Sequence, residues 1–205
     1  MTNMKSVRTS SKTRSYAQKA RAEAAEATGE RIINAFLARL MTQWLDEITL
    51  EGVAADAGVT VQTVIRRFGN KEGLLASGLK TLGGQINARR KAPSGDLDRQ
   101  IGNLIADYEQ TGDAVLRMLA LEPRHAPLKP FLDYGRGEHR DWVAAAFAPA
   151  LEKLTPAARQ WATDRLVIVT DVYTWKLLRR DMGRGVDIAT TTMKGLVSAV
   201  LADIS

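Results

Sequence analysis

The apolar residues of this chain recur at every third or fourth position over most of its length. That spacing is typical of helices with one buried face. The stripes lie at 32–40, 53–57, 64–68, 74–86, 97–108, 115–119, 142–147, 166–169 and 196–200. No segment shows the strict alternation of apolar and polar residues that a half-buried strand requires. The pattern therefore predicts an all-α fold.

Residues 49–68 predict two short helices joined by a tight turn. Thr49 and Thr60 each stand just before a helix, where a hydroxyl can accept from an unpaired backbone N–H. Gly58 can end the first helix because glycine enters the left-handed region without steric cost. Such a pair, with arginines on the second helix, describes a helix-turn-helix that fits the DNA major groove. A plain helical hairpin with a solvated basic face is the alternative.

The side chains expected to contact DNA follow from this motif. Arginine suits bidentate contact with guanine, and glutamine suits adenine. Lys71 opens the next helix, where its charge and the free backbone N–H groups can both meet a phosphate. The predicted DNA-binding residues are Thr49, Thr60, Val61, Gln62, Thr63, Arg66, Arg67 and Lys71.

From Arg31 to Leu75 the sequence resembles the DNA-binding domain of the tetracycline-repressor (TetR) family. The matching residues, in the family's order and without a gap, are R-I-I-N-A at 31–35, Thr49, V-A at 53–54, A-G-V-T at 57–60, Thr63, Phe68 and N-K-E-G-L-L at 70–75. Three positions depart from the family pattern. Trp44 stands in place of a usual glycine, Gly52 in place of an acidic residue, and Ile65 in place of a tyrosine that touches the DNA backbone.

The resemblance implies a three-helix DNA-binding domain followed by a helical effector-binding domain that dimerises through its last two long helices. The expected function is that of a homodimeric repressor, which binds a palindromic operator of double-stranded DNA. A small apolar or aromatic effector would release it. Two other functions stay open from the residues alone: an effector-independent DNA-organising protein, and a helical enzyme with a basic N-terminal arm.

The charge of the chain is unevenly distributed. Residues 1–92 carry 15 Lys/Arg against 8 Asp/Glu, a net +7, whereas residues 93–205 carry 14 against 15, a net −1. The surplus in the first half predicts a polyanionic partner for that half. The chain has no cysteine, and its two histidines lack ligand spacing, so no metal or other cofactor and no enzymatic reaction is expected. No signal sequence or membrane span is evident, which predicts a cytoplasmic protein.

Three segments are predicted along the chain: a basic flexible arm at 1–28, a DNA-binding domain with its connecting helix at 29–92, and an effector-binding and dimerisation domain at 93–205. The arm would neutralise phosphates or remain a solvated tail. Within these segments we expect a first helix at 29–45 that is capped by Thr28. We also expect a helix from 97 that breaks at Gly112, and one long helix over 156–182.

The second domain carries the remaining candidate sites. Its C-terminal helices combine an apolar girdle with small residues that permit close helix packing, and the predicted dimer interface is Leu166, Val169, Tyr173, Thr191, Gly195, Leu196 and Ala199. Its large side chains exceed what simple helix pairing requires, although they could merely fill a core. A mostly apolar effector pocket is predicted from them, lined by Tyr108, Met118, Phe131, Trp142, Phe147 and Trp175.

Overall fold

The computed structural model describes the backbone of residues 7–204 and the side chains of Tyr16 and of residues 18–204. In that part of the chain every regular element is helical, which confirms the predicted all-α class. The α-helices are α1 (Val7–Leu40), α2 (Leu50–Ala57), α3 (Val61–Phe68), α4 (Lys71–Arg89), α5 (Leu97–Leu121), α6 (Lys129–Ala146), α7 (Ala148–Leu151), α8 (Pro156–Thr170), α9 (Val172–Lys176) and α10 (Val186–Asp203).

Short 3-10 and π-helical segments join some of these helices. Three 3-10 segments lie at Leu45–Glu47, Glu122–Arg124 and Ala126–Leu128. A π-helical segment, Leu177–Asp181, continues α9. No helix of the described residues is long and apolar enough to cross a membrane.

The chain divides into two compact units. Unit 1 comprises Met1–Arg39 and Ile48–Gly78, and unit 2 comprises Leu40–Glu47 and Leu79–Ser205. The core of unit 1 is built from small and medium apolar side chains on α1 to α4: Ile32, Phe36, Leu37, Val53, Ala54, Ala57, Val64, Leu74 and Leu75. The predicted domain boundary after residue 92 rests on a linker in the sequence and stays a prediction.

Unit 2 is organised around one apolar cluster. It draws buried side chains from α5, α6, α8, α9 and α10, among them Ile101, Leu104, Tyr108, Val143, Phe147, Leu166, Trp175, Met193 and Val197. Trp175 has no exposed surface, and its indole Nε1 donates to the Glu109 carboxylate at 2.7 Å. This bond satisfies the one polar atom of a large side chain that would otherwise lose its hydrogen bond to water.

The predicted start of the first helix was wrong. Thr28 lies inside α1, which already begins at Val7, and its hydroxyl donates to the Ala24 carbonyl at 2.8 Å. Residues 18–26 are Ala, Glu, Gln, Lys and Arg, all strong helix formers, so the local propensity carries the helix through this segment. The helix also ends earlier than predicted, at Leu40. The side chains of Lys5, Arg8, Lys12 and Arg14, which were predicted to form part of the arm, lie outside the described side chains.

The predicted break at Gly112 was also wrong, because α5 continues from Leu97 to Leu121. A Cβ atom at residue 112 would lie only 2.5 Å from a ring carbon of Trp175. Gly112 therefore permits the close approach of a buried indole and does not terminate the helix.

The long helix predicted over 156–182 is interrupted. Asp171 adopts an extended conformation (φ −70°, ψ 156°), which ends α8 at Thr170. Its carboxylate accepts from the backbone N–H of Tyr173 at 2.9 Å and so caps α9. The sequence pattern did not indicate this cap, because Asp171 lies in a mostly apolar segment at 166–173.

A matched pair of substitutions in α5 tests the packing role of Gly112. Gly112→Ala should lower the free energy of unfolding by about 1–3 kcal/mol, because the new methyl group must displace Trp175. Gly102→Ala should raise it by up to about 1 kcal/mol, since nothing lies within 4 Å of that position and alanine is the better helix former. Urea unfolding of both variants measures the difference. Equal effects would contradict the assignment.

Candidate nucleic-acid interface and ligand cavity

The turn between α2 and α3 has the predicted geometry. Thr49 Oγ1 accepts from the backbone N–H of Gly52 at 3.1 Å, and Thr60 Oγ1 accepts from that of Thr63 at 3.2 Å. Gly58 lies in the left-handed region with φ 64° and ψ 40°. These contacts confirm both threonines as N-caps and Gly58 as the residue that ends α2.

The two helices are tied to α1 within unit 1. Arg39 Nε donates to an Asp56 carboxylate oxygen at 2.6 Å, and this bond lowers the pKa of Asp56. The guanidinium lies over Gly52, where a Cβ would come within 2.6 Å of it. A side chain at this position would require the Arg39 guanidinium to shift.

Helix α3 presents a sharply divided surface. Val64 is fully buried, whereas Gln62, Ile65 and Arg66 are exposed. Residues 62 and 66 are four positions apart and therefore share one face of the helix. Val61 and Thr63 are half-buried beside them, and the Thr63 hydroxyl lies 3.0 Å from that of Thr60. The exposed face offers an amide and a guanidinium, which are both suited to base edges.

Arg67 differs from its neighbour Arg66. Its guanidinium lies against the backbone of Gly29 in α1, where a Cβ would collide with it, and 6.0 Å from the centre of the Phe68 ring. The side chain remains exposed but its head is turned toward α1. Gln62 and Arg66 are thus better placed than Arg67 to reach outward from α3.

The start of α4 is capped by Asn70, whose side-chain oxygen accepts from the backbone N–H of Gly73 at 2.9 Å. A Cβ at residue 73 would overlap the Phe68 carbonyl oxygen, so glycine is required for this tight connection. Lys71, at the first position of the helix, is half-buried. It stands at the N-terminus of a helix, whose partial positive charge favours an anion.

A cavity of about 260 Å³ lies within unit 2, bounded by α4, α5, α6, α8 and α9. Of the six predicted ligand-binding residues, Tyr108 and Phe131 line it. Tyr173, predicted for the dimer interface, lines it as well. The other apolar walls come from residues that the sequence did not single out: Ile86, Val115, Leu119, Leu132, Val167 and Val172.

The remaining predicted ligand residues lie elsewhere. Met118, Phe147 and Trp175 are buried at 1%, 3% and 0% exposure and do not line the cavity. Trp142 borders a neighbouring cleft and stacks on His139, with ring centres 5.6 Å apart. These four side chains fill space between helices, which is the usual role of large apolar residues at helical spacing.

Charged side chains at the edge of the cavity are anchored by a buried carboxylate. Asp107 has no exposed surface and accepts from Arg89 Nε at 2.7 Å and from Arg90 Nε at 2.8 Å. The Arg90 guanidinium then lies 4.8 Å from the centre of the Tyr108 ring. Burial raises the pKa of Tyr108, and its hydroxyl donates to the Thr170 carbonyl at 3.0 Å.

His139 is a buried imidazole on the cavity wall. The Thr170 hydroxyl donates to the Leu166 carbonyl at 2.7 Å, so its oxygen is free to accept from His139 Nε2 at 3.1 Å. Nδ1 has no hydrogen-bond partner among the described residues. Burial lowers the pKa of His139 to about 4, with a smaller contribution from Arg90, and the ring is neutral at pH 7.

The predicted dimer residues are mostly uncovered within the chain. Thr191, Gly195, Leu196 and Ala199 are exposed on α10, and Tyr173 is 58% exposed. Val169 is half-buried against the core cluster. Leu166 has no exposed surface, because it points into the core, and we withdraw it from the interface. Ile168, in the same apolar girdle, is 65% exposed and faces outward in its place.

Comparisons with known proteins agree with this geometry. The sequence model of the bacterial regulatory proteins of the tetR family matches residues 45–77, which include the helix-turn-helix. No curated protein sequence matches the chain.

Solved structures of transcriptional regulators have a similar fold over most of the chain. A putative TetR-family transcriptional regulator from Rhodococcus sp. has a TM-score of 0.68 at 16% identity and covers 86% of this chain and 99% of its own. A TetR transcription regulator from Haloarcula marismortui ATCC 43049 has a TM-score of 0.63 at 15% identity and covers 86% and 97%.

The depressed pKa of His139 predicts a loss of stability in acid. As the pH falls through 6.5, the unfolded chain takes up a proton that the folded protein binds only near pH 4. Stability from this residue is complete above pH 6.5 and is lost progressively between pH 6.5 and about 4. Between about pH 7.5 and about pH 5 the loss should be about 2 kcal/mol.

Urea unfolding at the two pH values checks this prediction. His139→Gln should remove that part of the pH dependence, whereas His125→Gln, which leaves the buried ring in place, should retain it. An unchanged pH dependence in His139→Gln would contradict the assignment.

Proposed function

We propose that this chain is a TetR-family regulator that represses transcription as a homodimer on a palindromic DNA operator. The family model that matches its helix-turn-helix and the fold it shares with solved regulators support this proposal. An apolar or aromatic effector that enters the cavity of unit 2 releases the homodimer. In this function the chain is a cytoplasmic binding protein that needs no cofactor and catalyses no reaction. The observation that carries the proposal is the exposed face of α3. Thr49 and Thr60 are the N-caps of α2 and α3, and they stabilise the helix-turn-helix to which this face belongs.

The proposed DNA contacts divide into two kinds. Gln62 and Arg66 on the exposed face of α3 read base edges in the major groove, with Thr63 and Val61 beside them. Lys71 and Thr49 lie at the starts of α4 and α2, where backbone N–H groups and a side chain together can hold a phosphate. Arg67 and Thr60 support α3: Arg67 packs on Gly29, and Thr60 uses its hydroxyl as a cap.

The proposed dimer uses the outward faces of α8 and α10. A two-fold dimer matches a palindrome, and one recognition helix alone reads too few bases for specificity. Gly195 and Ala199 give α10 a flat surface for close helix approach, and Leu196 and Ile168 offer exposed apolar area at 41% and 65%. Such a face is typical of a surface that a partner covers.

The proposed effector acts by favouring one geometry of the dimer over another. To reduce operator occupancy a hundredfold it must prefer the non-binding geometry by about 2.8 kcal/mol. Helix α4 belongs to both units and ends at Arg89, which binds Asp107 beside the cavity wall. Because the cavity exists, an effector-responsive regulator is favoured over a DNA-organising protein without an effector.

Two substitutions test the division of the DNA contacts. Arg66→Ala should cost about 1–3 kcal/mol of discrimination at one base position of a selected operator. Lys71→Ala should weaken binding to all sequences alike and reduce the salt slope by about 1. Operator selection from random DNA, followed by titrations at several salt concentrations, measures both effects. Lys153→Ala, on the exposed surface of unit 2, is the control for loss of a positive charge.

If Arg66→Ala weakened operator and random DNA equally, Arg66 would be a phosphate contact and its proposed role in base recognition would fail.

Substitutions on α10 test the dimer. Gly195→Arg should give monomers that keep their helicity but lose operator binding, because a long charged side chain separates the two close-packed helices. Gly137→Arg is the matched control, since Gly137 is likewise a helical glycine with nothing within 4 Å of its Cβ position. Light scattering at micromolar concentration measures the assembly. A monomeric wild type would refute the proposed dimer.

A further inference from the structure

Two oppositely charged side chains line the cavity of unit 2 without pairing with each other. Arg90 directly follows α4, and Asp171 lies at the break between α8 and α9. No ion pair joins them among the described residues, although an arginine and a carboxylate in one small cavity would normally attract each other.

Asp171 has an unused acceptor. Its Oδ1 accepts from the backbone N–H of Tyr173 at 2.9 Å, whereas Oδ2 accepts no hydrogen bond from any described residue. The side chain is half-buried, and burial raises the pKa of its carboxyl group. A partly buried carboxylate oxygen that lacks a donor from the protein is a place where a ligand donor can bind.

Arg90 has unused donors. Its Nε is engaged by Asp107 at 2.8 Å, and its guanidinium also interacts with the Tyr108 hydroxyl. Arginine has five N–H donors, so further Nη donors remain for a ligand. The side chain is 12% exposed. The guanidinium is held over Tyr108, so its position is fixed before any ligand arrives.

Tyr108 contacts Arg90 and the residue that precedes Asp171. The Arg90 guanidinium lies over its ring, and its hydroxyl donates to the carbonyl of Thr170, the residue next to Asp171. Both charges also affect the pKa of Tyr108, Arg90 lowering it and Asp171 raising it. The two groups therefore line the same cavity next to one tyrosine side chain.

Most of the other charged groups on the cavity wall have partners. Arg136 binds Glu122 and Asp133, and Arg140 binds Asp164. Glu138 accepts from the Asn87 side-chain amide. His139 is neutral at pH 7 and bonds to Thr170 through Nε2, while its Nδ1 has no partner among the described residues. Arg90 and Asp171 are the two oppositely charged groups of the wall that we assign to the ligand head.

We propose that the effector is a neutral compound with an amide-like head, whose N–H donates to Asp171 and whose carbonyl accepts from Arg90. This inference rests on the proposed role of the cavity as the effector site. A cavity of about 150 Å³ can hold benzene, so about 260 Å³ accommodates one ring with a short chain and this head. The ring of the effector packs against the apolar side chains of the lining.

A charged head satisfies only one of the two groups. A carboxylate would pair with Arg90 but would be repelled by Asp171. An ammonium group would pair with Asp171 but would be repelled by Arg90. An amide meets both with the correct polarity, so the cavity selects against each charged analogue by repulsion as well as by lost hydrogen bonds.

Three probes with the same phenylpropyl body test this selection on the full-length protein without DNA: 3-phenylpropanamide, 3-phenylpropanoate and 3-phenylpropylamine. By calorimetric titration the amide should bind at least about tenfold more tightly than either charged probe. A Kd for the amide weaker than about 10 mM, or a charged probe that binds as tightly as the amide, would overturn the proposal.

Asp171→Asn provides the second measurement. Asparagine keeps the oxygen that caps α9, so the fold should be retained, while the negative charge is lost. Binding of 3-phenylpropanoate should then improve at least about tenfold relative to 3-phenylpropylamine. Asp98→Asn, an exposed carboxylate outside the cavity, should leave the order of the probes unchanged. An unchanged order in Asp171→Asn also overturns the proposal.

Operator binding without ligand is measured in parallel and should be the same in wild type and in the control Asp98→Asn. Loss of the proposed operator binding in the wild type would refute the DNA-binding function but would leave the probe selectivity as measured. A wild type that binds operator yet shows no amide preference would refute the effector class alone.

Discussion

A carboxylate without exposed surface is the constraint on which the organisation of unit 2 depends. Removing Asp107 from water costs several kcal/mol unless its oxygens are paired, and Arg89 and Arg90 supply one charge-assisted bond each. Both arginines stand at the end of α4, and Asp107 lies in the middle of α5. The pairing therefore fixes the end of one helix on the other and, as a consequence, holds Arg90 over Tyr108 at the cavity.

The features that the sequence predicted correctly are those that neighbouring residues decide. A threonine before a helix finds its N–H partner three residues later, and a glycine after α2 adopts the left-handed conformation whatever the rest of the chain does. The length of α5 is different. Gly112 has the residue type of a helix end, but its role is set by Trp175, 63 positions away in sequence, which packs where a Cβ would stand.

The same distinction applies to the candidate sites. The exposed face of α3 could be predicted because its period of 3.6 residues fixes which side chains share a side. Most of the cavity lining could not be predicted, because the most prominent aromatic residues are the ones best able to fill a core. Trp175 and Phe147 are buried in the core, whereas the oppositely charged residues on the cavity wall, Arg90 and Asp171, are ordinary charged residues in the sequence.

The break between α8 and α9 connects the shape of the cavity with its chemistry. An interrupted helix leaves carbonyl and N–H groups that need partners in a partly buried place. Tyr108 donates to the Thr170 carbonyl, His139 bonds to the Thr170 hydroxyl, and Asp171 caps the first turn of α9. These bonds use one oxygen of Asp171 and leave the other facing the same space. A continuous helix would need none of these partners and would leave no acceptor, so the irregularity of the backbone is what makes this apolar cavity selective.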